Sequence, residues 1–333
     1  MKIYLAGDSI VQNYEKEEFI AGWGQFLSFF IKDGVEVVND AKGGRSSRLF
    51  INEGRFDNIE KNISAGDYLL IEFCHNDDAS KEYKTMFNRL TPLGEPDSDG
   101  RFPIIPGEAM PKDYIPPEYI DALRKDENVK DKQAVLDSVY KILESYPHDT
   151  YYPYSADGSK GTYLWFLKQF VDMAREKGAV PVFVTAPART VYDANGNIKD
   201  GAGLHGGNNF AYIRAMKQLG EEAKVPVIDL FAYSCGLYKQ IGKEKIHWIT
   251  SIKKGCNKGI WPDDFNSEMQ KKETVSEDTH FNKYGAMLIT QGLVKLIKES
   301  DSSQLDGLKG MLKNPDGIDI EKYVKKPLVF EKF

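Results

Sequence analysis

The 333-residue chain carries 50 acidic and 44 basic side chains, a formal net charge of −6, with 28% charged and 41% hydrophobic residues. That length can bury one large core or two ordinary ones. The balance lacks the clustered basic excess that nucleic acid or an anionic membrane demands, so neither is expected as a partner. Three cysteines, Cys74, Cys235 and Cys256, show no paired spacing, which argues against a disulfide framework and for a reduced compartment. No apolar run approaches the ~20 residues that span a bilayer. A cytoplasmic address is expected, although a protein whose secretory signal had been removed would read the same way.

The first 77 residues alternate in a βαβαβ rhythm. Ile3–Ala6 predicts a buried strand that ends at Gly7-Asp8-Ser9. An apolar segment from Trp23 to Ile31 predicts a helix, ended by Lys32-Asp33-Gly34, and Val35–Val38 a second strand. Phe56–Ile63 predicts a short helix, and Asp67–Cys74 the third strand. From about 78 to 160 the rhythm breaks into proline, acid and tyrosine-rich sequence, with helices expected near Pro117–Lys125 and Asp131–Glu144. This stretch is too long for an ordinary connection and reads as an insertion folded onto the core. The rhythm resumes with a helix over Gly161–Lys177, a strand at Val180–Thr185, a helix over Asn208–Lys224 and a strand at Val225–Leu230. Helices near Phe231–Ile241 and Lys283–Ile297, separated by a loop to about Glu277, complete the core; the polar tail from 301 to 333 is expected to pack on it. The fold class that follows is three-layer α/β/α, a five-stranded parallel sheet in flavodoxin-like order within one domain over residues 1–300.

Four segments carry the chemistry. Gly7-Asp8-Ser9 follows the first strand, Asn39–Arg48 with its paired Gly43 and Gly44 follows the second, and Cys74-His75-Asn76-Asp77 follows the third. Glu277-Asp278-Thr279-His280 precedes the last helix. In a parallel sheet the first three converge on the carboxyl edge, and the fourth reaches it from the final loop. A serine hydroxyl becomes a good nucleophile only when an oriented base accepts its proton. His280 is the candidate base and an acid just before it the candidate orienter. Negative charge on a tetrahedral oxygen needs preorganised donors, which the backbone amides of Ser9 and Gly44 and the side-chain amide of Asn76 are placed to supply.

These four blocks, in this order, resemble the SGNH (GDSL-type) hydrolases. Asn39–Arg48 and Ile71–Asp77 are most similar to the rhamnogalacturonan acetylesterase branch. The resemblance covers residues 1–77 and, by rhythm and final motif, 161–298. It implies the SGNH fold, Ser9 as nucleophile, Gly44 and Asn76 as oxyanion donors and His280 as base. Two positions depart from the family pattern. Cys74 stands where the family has glycine, and is read as structural. The family's aspartate three residues before the histidine is replaced by Glu277, which is in register but one methylene longer; Asp278 is the alternative acid. The implied function is a carbohydrate O-acetylesterase acting on acetylated rhamnogalacturonan, through a serine acyl-enzyme. Acetylxylan esterase, a broad short-chain esterase or thioesterase, and a carbohydrate-binding protein with a degenerate site are the alternatives.

Arg45, Arg48 and Arg189 follow strand ends and are candidates to pair a uronate carboxylate. Trp248, Trp261 and the tyrosines of 151–154 are candidates to stack on sugar rings, whereas Trp23 reads as core. Gly201–Gly206 matches the dinucleotide fingerprint, yet a polar loop precedes it instead of a strand, so it cannot place a pyrophosphate on a helix end. His148, His205 and His247 lack ligand-spaced partners, and no metal or other cofactor is expected.

Overall fold

Residues Lys2–Gly7 form β1, every side chain after Lys2 buried. The computed structural model describes residues 1–15, 20–78, 82–199, 207–252 and 276–324, and of residues 208, 252, 276 and 277 the backbone alone. A 3₁₀ helix over Trp23–Phe30 leads to β2 (Glu36–Asn39), α1 (Ser47–Asn52), α2 (Arg55–Asn62) and β3 (Tyr68–Glu72). Then come α3 (Tyr83–Arg89), β4 (Met110–Pro111), α4 (Pro117–Lys125), α5 (Lys132–Ser145) and β5 (Thr150–Tyr151). The core resumes with α6 (Tyr163–Glu176), β6 (Val180–Val184), α7 (Ala211–Ala223), β7 (Val227–Ile228) and α8 (Leu230–Ile241). After β8 (Thr250–Ile252) come β9 (Ser276–Phe281), α9 (Lys283–Glu299) and α10 (Asp306–Met311).

Strands pair in the order β2-β1-β3-β6-β7, all parallel. This is the expected flavodoxin-like order, with the switch point at β1, between β2 and β3. Side chains alternate across it. Ile3, Leu5, Leu70, Val182 and Val184 pack on one face against the 3₁₀ helix, α8, α9 and α10. Tyr4, Ala6, Leu69, Ile71 and Phe183 pack on the other against α1, α2, α6 and α7. Both faces are covered, which is why these strands read as near-continuous apolar runs.

Three elements differ from expectation for local reasons. Trp23–Phe30 is a 3₁₀ helix, not an α-helix. Two glycines and three phenylalanines between 21 and 30 give weak α propensity. A β-carbon on Gly24 would sit 2.4 Å from the Val11 carbonyl, so the segment is pressed onto the backbone of the Ser9 turn. The edge strand β7 shrinks to two residues because Pro226 cannot donate to a ladder and Asp229 accepts from the Ala232 amide, starting α8. β8 and β9 form an antiparallel pair where the sequence predicted loop. Between β3 and α6, Phe87, Tyr119, Leu123, Val139, Leu143 and Tyr151 make an apolar cluster of their own, joined by Leu49 of α1. From Leu305 to Leu312 the chain returns to the α9 face, where Lys32 donates to the Met311 carbonyl.

Candidate functional site

At the end of β1, Gly7 must be glycine: a β-carbon there would meet Val11 Cγ2 at 2.6 Å and the Glu72 carbonyl at 2.9 Å. The chain then folds over Asp8, whose carbonyl accepts from the Val11 and Gln12 amides and whose Oδ1 accepts from the Ile10 amide at 2.9 Å. Ser9 is thereby held on a tight turn, its carbonyl bonded by the Tyr14 hydroxyl at 3.0 Å. His280 lies on β9, which two backbone bonds tie over the sheet edge: Ala21 N donates to Phe281 O at 2.9 Å and Thr190 N to Asp278 O at 2.7 Å. Asn282 then caps α9 by accepting from Gly285 N, while its Nδ2 donates to the Trp248 and Thr250 carbonyls. These restraints place His280 Nε2 2.8 Å from Ser9 Oγ. That is the contact general-base activation of a serine requires.

The loops after β2 and β3 close around this pair. Gln12 Oε1 accepts from the Gly43 amide, and a β-carbon on Gly43 would lie 3.3 Å from Ser9 Cβ. Gly44 has φ +79°, a conformation that glycine alone adopts without strain. Asn76 donates one N–H of its Nδ2 to Asp8 Oδ2 at 3.0 Å, which fixes the amide plane and leaves the second N–H for another acceptor. Asp77 stitches the two loops together: its Oδ1 accepts from the Ser47 amide at 3.0 Å and the Ser47 hydroxyl at 2.6 Å. The amides of Ser9 and Gly44 make no hydrogen bond among the described residues.

Buried carboxylates stand behind the pair. Burial raises Asp8 to about 6, against the lowering effects of the Ile10 amide, His280 and Asn76. Burial likewise lifts Asp77 to about 7, opposed by Ser47. Glu72, paired in register with Gly7, is pushed well above its usual range by burial and then by Asp8 and Asp77, and among the described residues neither of its oxygens finds a hydrogen-bond partner. Burial drives His75 down to about 3, so it is neutral, with Nε2 2.9 Å from the Pro187 carbonyl. Burial also holds the Cys74 thiol well above its ordinary value, which suits a structural side chain and not a second nucleophile.

The structure sorts the other candidates. Asp278 is half-exposed; its Oδ1 accepts from the Thr279 hydroxyl at 2.9 Å and lies 3.7 Å from Arg189 Nη1, and among the bonds of the described residues none joins its carboxylate to His280. The side chain of Glu277, like Trp261 and His205, lies outside the described residues. Arg45 is engaged by both oxygens of Glu53 and by the Gly43 carbonyl. Arg48 corrects the expectation that it faces a substrate: it is 1% exposed and donates to the carbonyls of Phe87, Leu90 and Tyr152. Trp248 packs on the apolar α9 face, with Lys245 Nζ 5.2 Å from its ring. Tyr151 and Tyr154 are buried and Tyr152 packs edge-on against Trp165, so this run builds core and not a sugar platform. One residue the sequence did not single out does reach the site. Arg89, the last residue of α3, lays its guanidinium over Gly44, where a β-carbon would meet Nη2 at 2.9 Å.

A serine hydroxyl bonded to an imidazole at the switch point of a parallel α/β sheet is the arrangement of a serine carboxylic-ester hydrolase. The chain is 30% identical over 300 residues to rhamnogalacturonan acetylesterase RhgT of Bacillus subtilis (strain 168), covering 90% of each protein. It is also 30% identical over 298 residues to the probable rhamnogalacturonan acetylesterase YesY of the same organism, covering 89% of this chain and 92% of that one. The chain belongs to the rhamnogalacturonan acetylesterase family. The crystal structure of protein YxiM from Bacillus subtilis shares its fold, with a TM-score of 0.53 at 20% identity over 91% of this chain, which spans 57% of that one. No family model matches the chain.

Proposed function

We propose that this chain removes acetyl groups from acetylated rhamnogalacturonan oligosaccharides through an acyl-enzyme on Ser9. The observation that carries the mechanism is the 2.8 Å contact between Ser9 Oγ and His280 Nε2. Ser9 Oγ attacks the acetyl carbonyl carbon while His280 Nε2 takes the hydroxyl proton. Charge on the tetrahedral oxygen is met by the amides of Ser9 and Gly44 and the free N–H of Asn76; one such donor typically lowers the barrier by ~3 kcal/mol. Collapse expels the sugar oxygen, which takes the proton back from His280. Water, deprotonated by the same imidazole, then attacks the acyl ester; the bond to Ser9 Oγ breaks, the oxygen takes the proton from His280, and acetate leaves with the serine regenerated.

Glu277 is the acid we assign to orient His280. It stands in the family register, and the Asp278 carboxylate is occupied by Thr279 and lies near Arg189. The substrate class rests on the relatives' names, both of which specify rhamnogalacturonan. The sparse cysteines, three in number and without paired spacing, favour a cytoplasmic site of action on imported oligosaccharides. The test is acetate release from acetylated rhamnogalacturonan and acetylated xylan oligosaccharides by the wild type and Ser9→Ala. Release from the pectic substrate, falling by about 10⁴-fold or more in the variant, is expected. A preference for xylan overturns the substrate reading, and unchanged release by Ser9→Ala overturns the mechanism.

A further inference from the structure

Arg89 differs from every other arginine near the site. Arg45 is held by both oxygens of Glu53, Arg48 is consumed by backbone carbonyls, and Arg189 lies near Asp278. Arg89 forms no ion pair among the described residues, and its Nε is buried with no hydrogen-bond partner. Its guanidinium lies flat on Gly44, with Nη2, Cζ and Nε at 2.9, 3.1 and 3.6 Å from where a β-carbon would stand. Nη1 is 3.5 Å from Asn76 Oδ1. Gly43, one residue earlier, abuts Ser9 Cβ. The charge therefore stands one residue from the nucleophile, between the two loops that carry Gly44 and Asn76.

We propose that Arg89 is a specificity-determining residue that binds a carboxylate on the sugar bearing, or next to, the acetyl ester. The reasoning is electrostatic. A guanidinium that is half-buried, unpaired and close to Arg45 is disfavoured until an anion reaches it, and burial followed by Arg45 holds its pKa below the ordinary value. Its planar fork matches a carboxylate bidentately. Glu82, then Asp8 and Glu53, attract the guanidinium, but none forms an ion pair with it among the described residues; the Asp8 oxygens are committed to the Ile10 amide and to Asn76, and those of Glu53 to Arg45 and Arg55. Arg89 ends α3, so the segment between β3 and α6 would contribute a charge-reading group to the cleft. This inference rests on Ser9 being the acyl acceptor and specifies the substrate as a uronate-containing sugar.

The test compares kcat/KM for acetylated methyl galacturonide and its carboxyl-reduced counterpart, the acetylated methyl galactoside. The wild type is expected to prefer the acid by about tenfold or more, the scale of one charge-assisted contact. In Arg89→Gln that ratio should fall close to one through a higher KM for the acid alone, and Arg89→Lys should keep part of it. Because the readout is a ratio within one preparation, loss of folded protein does not move it. No preference in the wild type, or an unchanged ratio in Arg89→Gln, overturns the proposal. Acetate release from acetylated rhamnogalacturonan oligosaccharides is read alongside. Failure there with an Arg89-dependent ratio removes the pectic reading and leaves the carboxylate site standing. Success there with an Arg89-independent ratio does the reverse.

Discussion

Ser9 has no reactivity of its own at neutral pH, and what distinguishes it from the chain's other serines is geometry imposed by its neighbours. The Asp8 carboxylate satisfies the Ile10 amide and at the same time aims the Asn76 side chain, so one buried acid shapes both the nucleophile's turn and a donor. This double use explains why Gly7-Asp8-Ser9 and Asn76 are recognisable in sequence as separate short motifs although they act as one unit. The acid behind His280 is less legible. Glu277 and Asp278 are adjacent, and neither strand alternation nor spacing decides between them when β8 and β9 are joined through an irregular register. Function can decide. Glu277→Gln is expected to lower kcat by about 10²-fold or more with little change in KM, since a misoriented imidazole damages the chemical step. Asp278→Asn, which removes a charge facing Arg189 and Thr279, should lose far less. Steady-state rates on a small acetyl ester check this, and the opposite ranking would transfer the role to Asp278.

Elements were legible where they were long and periodic, and obscure where a tertiary contact defines them. α6 and α9 present regular apolar stripes, and α4 announces itself with Pro117 at its first turn. α1 is six residues long and begins inside what reads as a glycine-rich loop, so sequence alone places Arg48 in the cleft. Its helix is held by its partners instead. Arg48 donates to the carbonyls of Phe87, Leu90 and Tyr152, while Asn52 exchanges two hydrogen bonds with the backbone of Tyr152. α1 is thus the clamp between the sheet and the segment that carries α3, α4 and α5. Replacing Arg48 with methionine keeps much of the side-chain volume but strands the Phe87 and Leu90 carbonyls, while the Tyr152 carbonyl keeps its bond from Asn52. Each stranded carbonyl costs roughly 1–3 kcal/mol, so unfolding free energy should fall by about 2 kcal/mol or more. Denaturant unfolding measures this, and a loss under ~1 kcal/mol would mean that the clamp contributes little.

At the scale of the whole molecule, the carboxyl edge of the sheet concentrates acids that the fold holds in an unfavourable state. Asp8, Glu72 and Asp77 are all completely buried and all raised above their ordinary values. Nothing in the sequence disclosed this, because burial of an acid depends on which loops close over it. A carboxyl whose folded pKa exceeds its unfolded one stabilises the fold below the unfolded value, and that contribution fades as pH rises through the folded value. For Asp77 the window runs from about 4, the unfolded value, to about 7. His75 acts in the opposite sense: lowered to about 3, it makes the folded state gain stability as pH rises from there to about 6.5, where the unfolded imidazole finishes losing its proton. The two effects offset each other below pH 6.5, so the net curve of the wild type alone does not separate them. Asp77→Asn does. The amide oxygen can still accept from the Ser47 amide and hydroxyl, and the ionisation is gone. Between pH 5 and pH 8 the wild type should lose about 2–3 kcal/mol relative to the variant, two pKa units at ~1.4 kcal/mol each. Unfolding free energies of both proteins at several pH values measure that difference. Parallel curves would mean that Asp77 is ionised in the folded protein throughout, and the acid reservoir behind Ser9 would then be confined to Asp8 and Glu72.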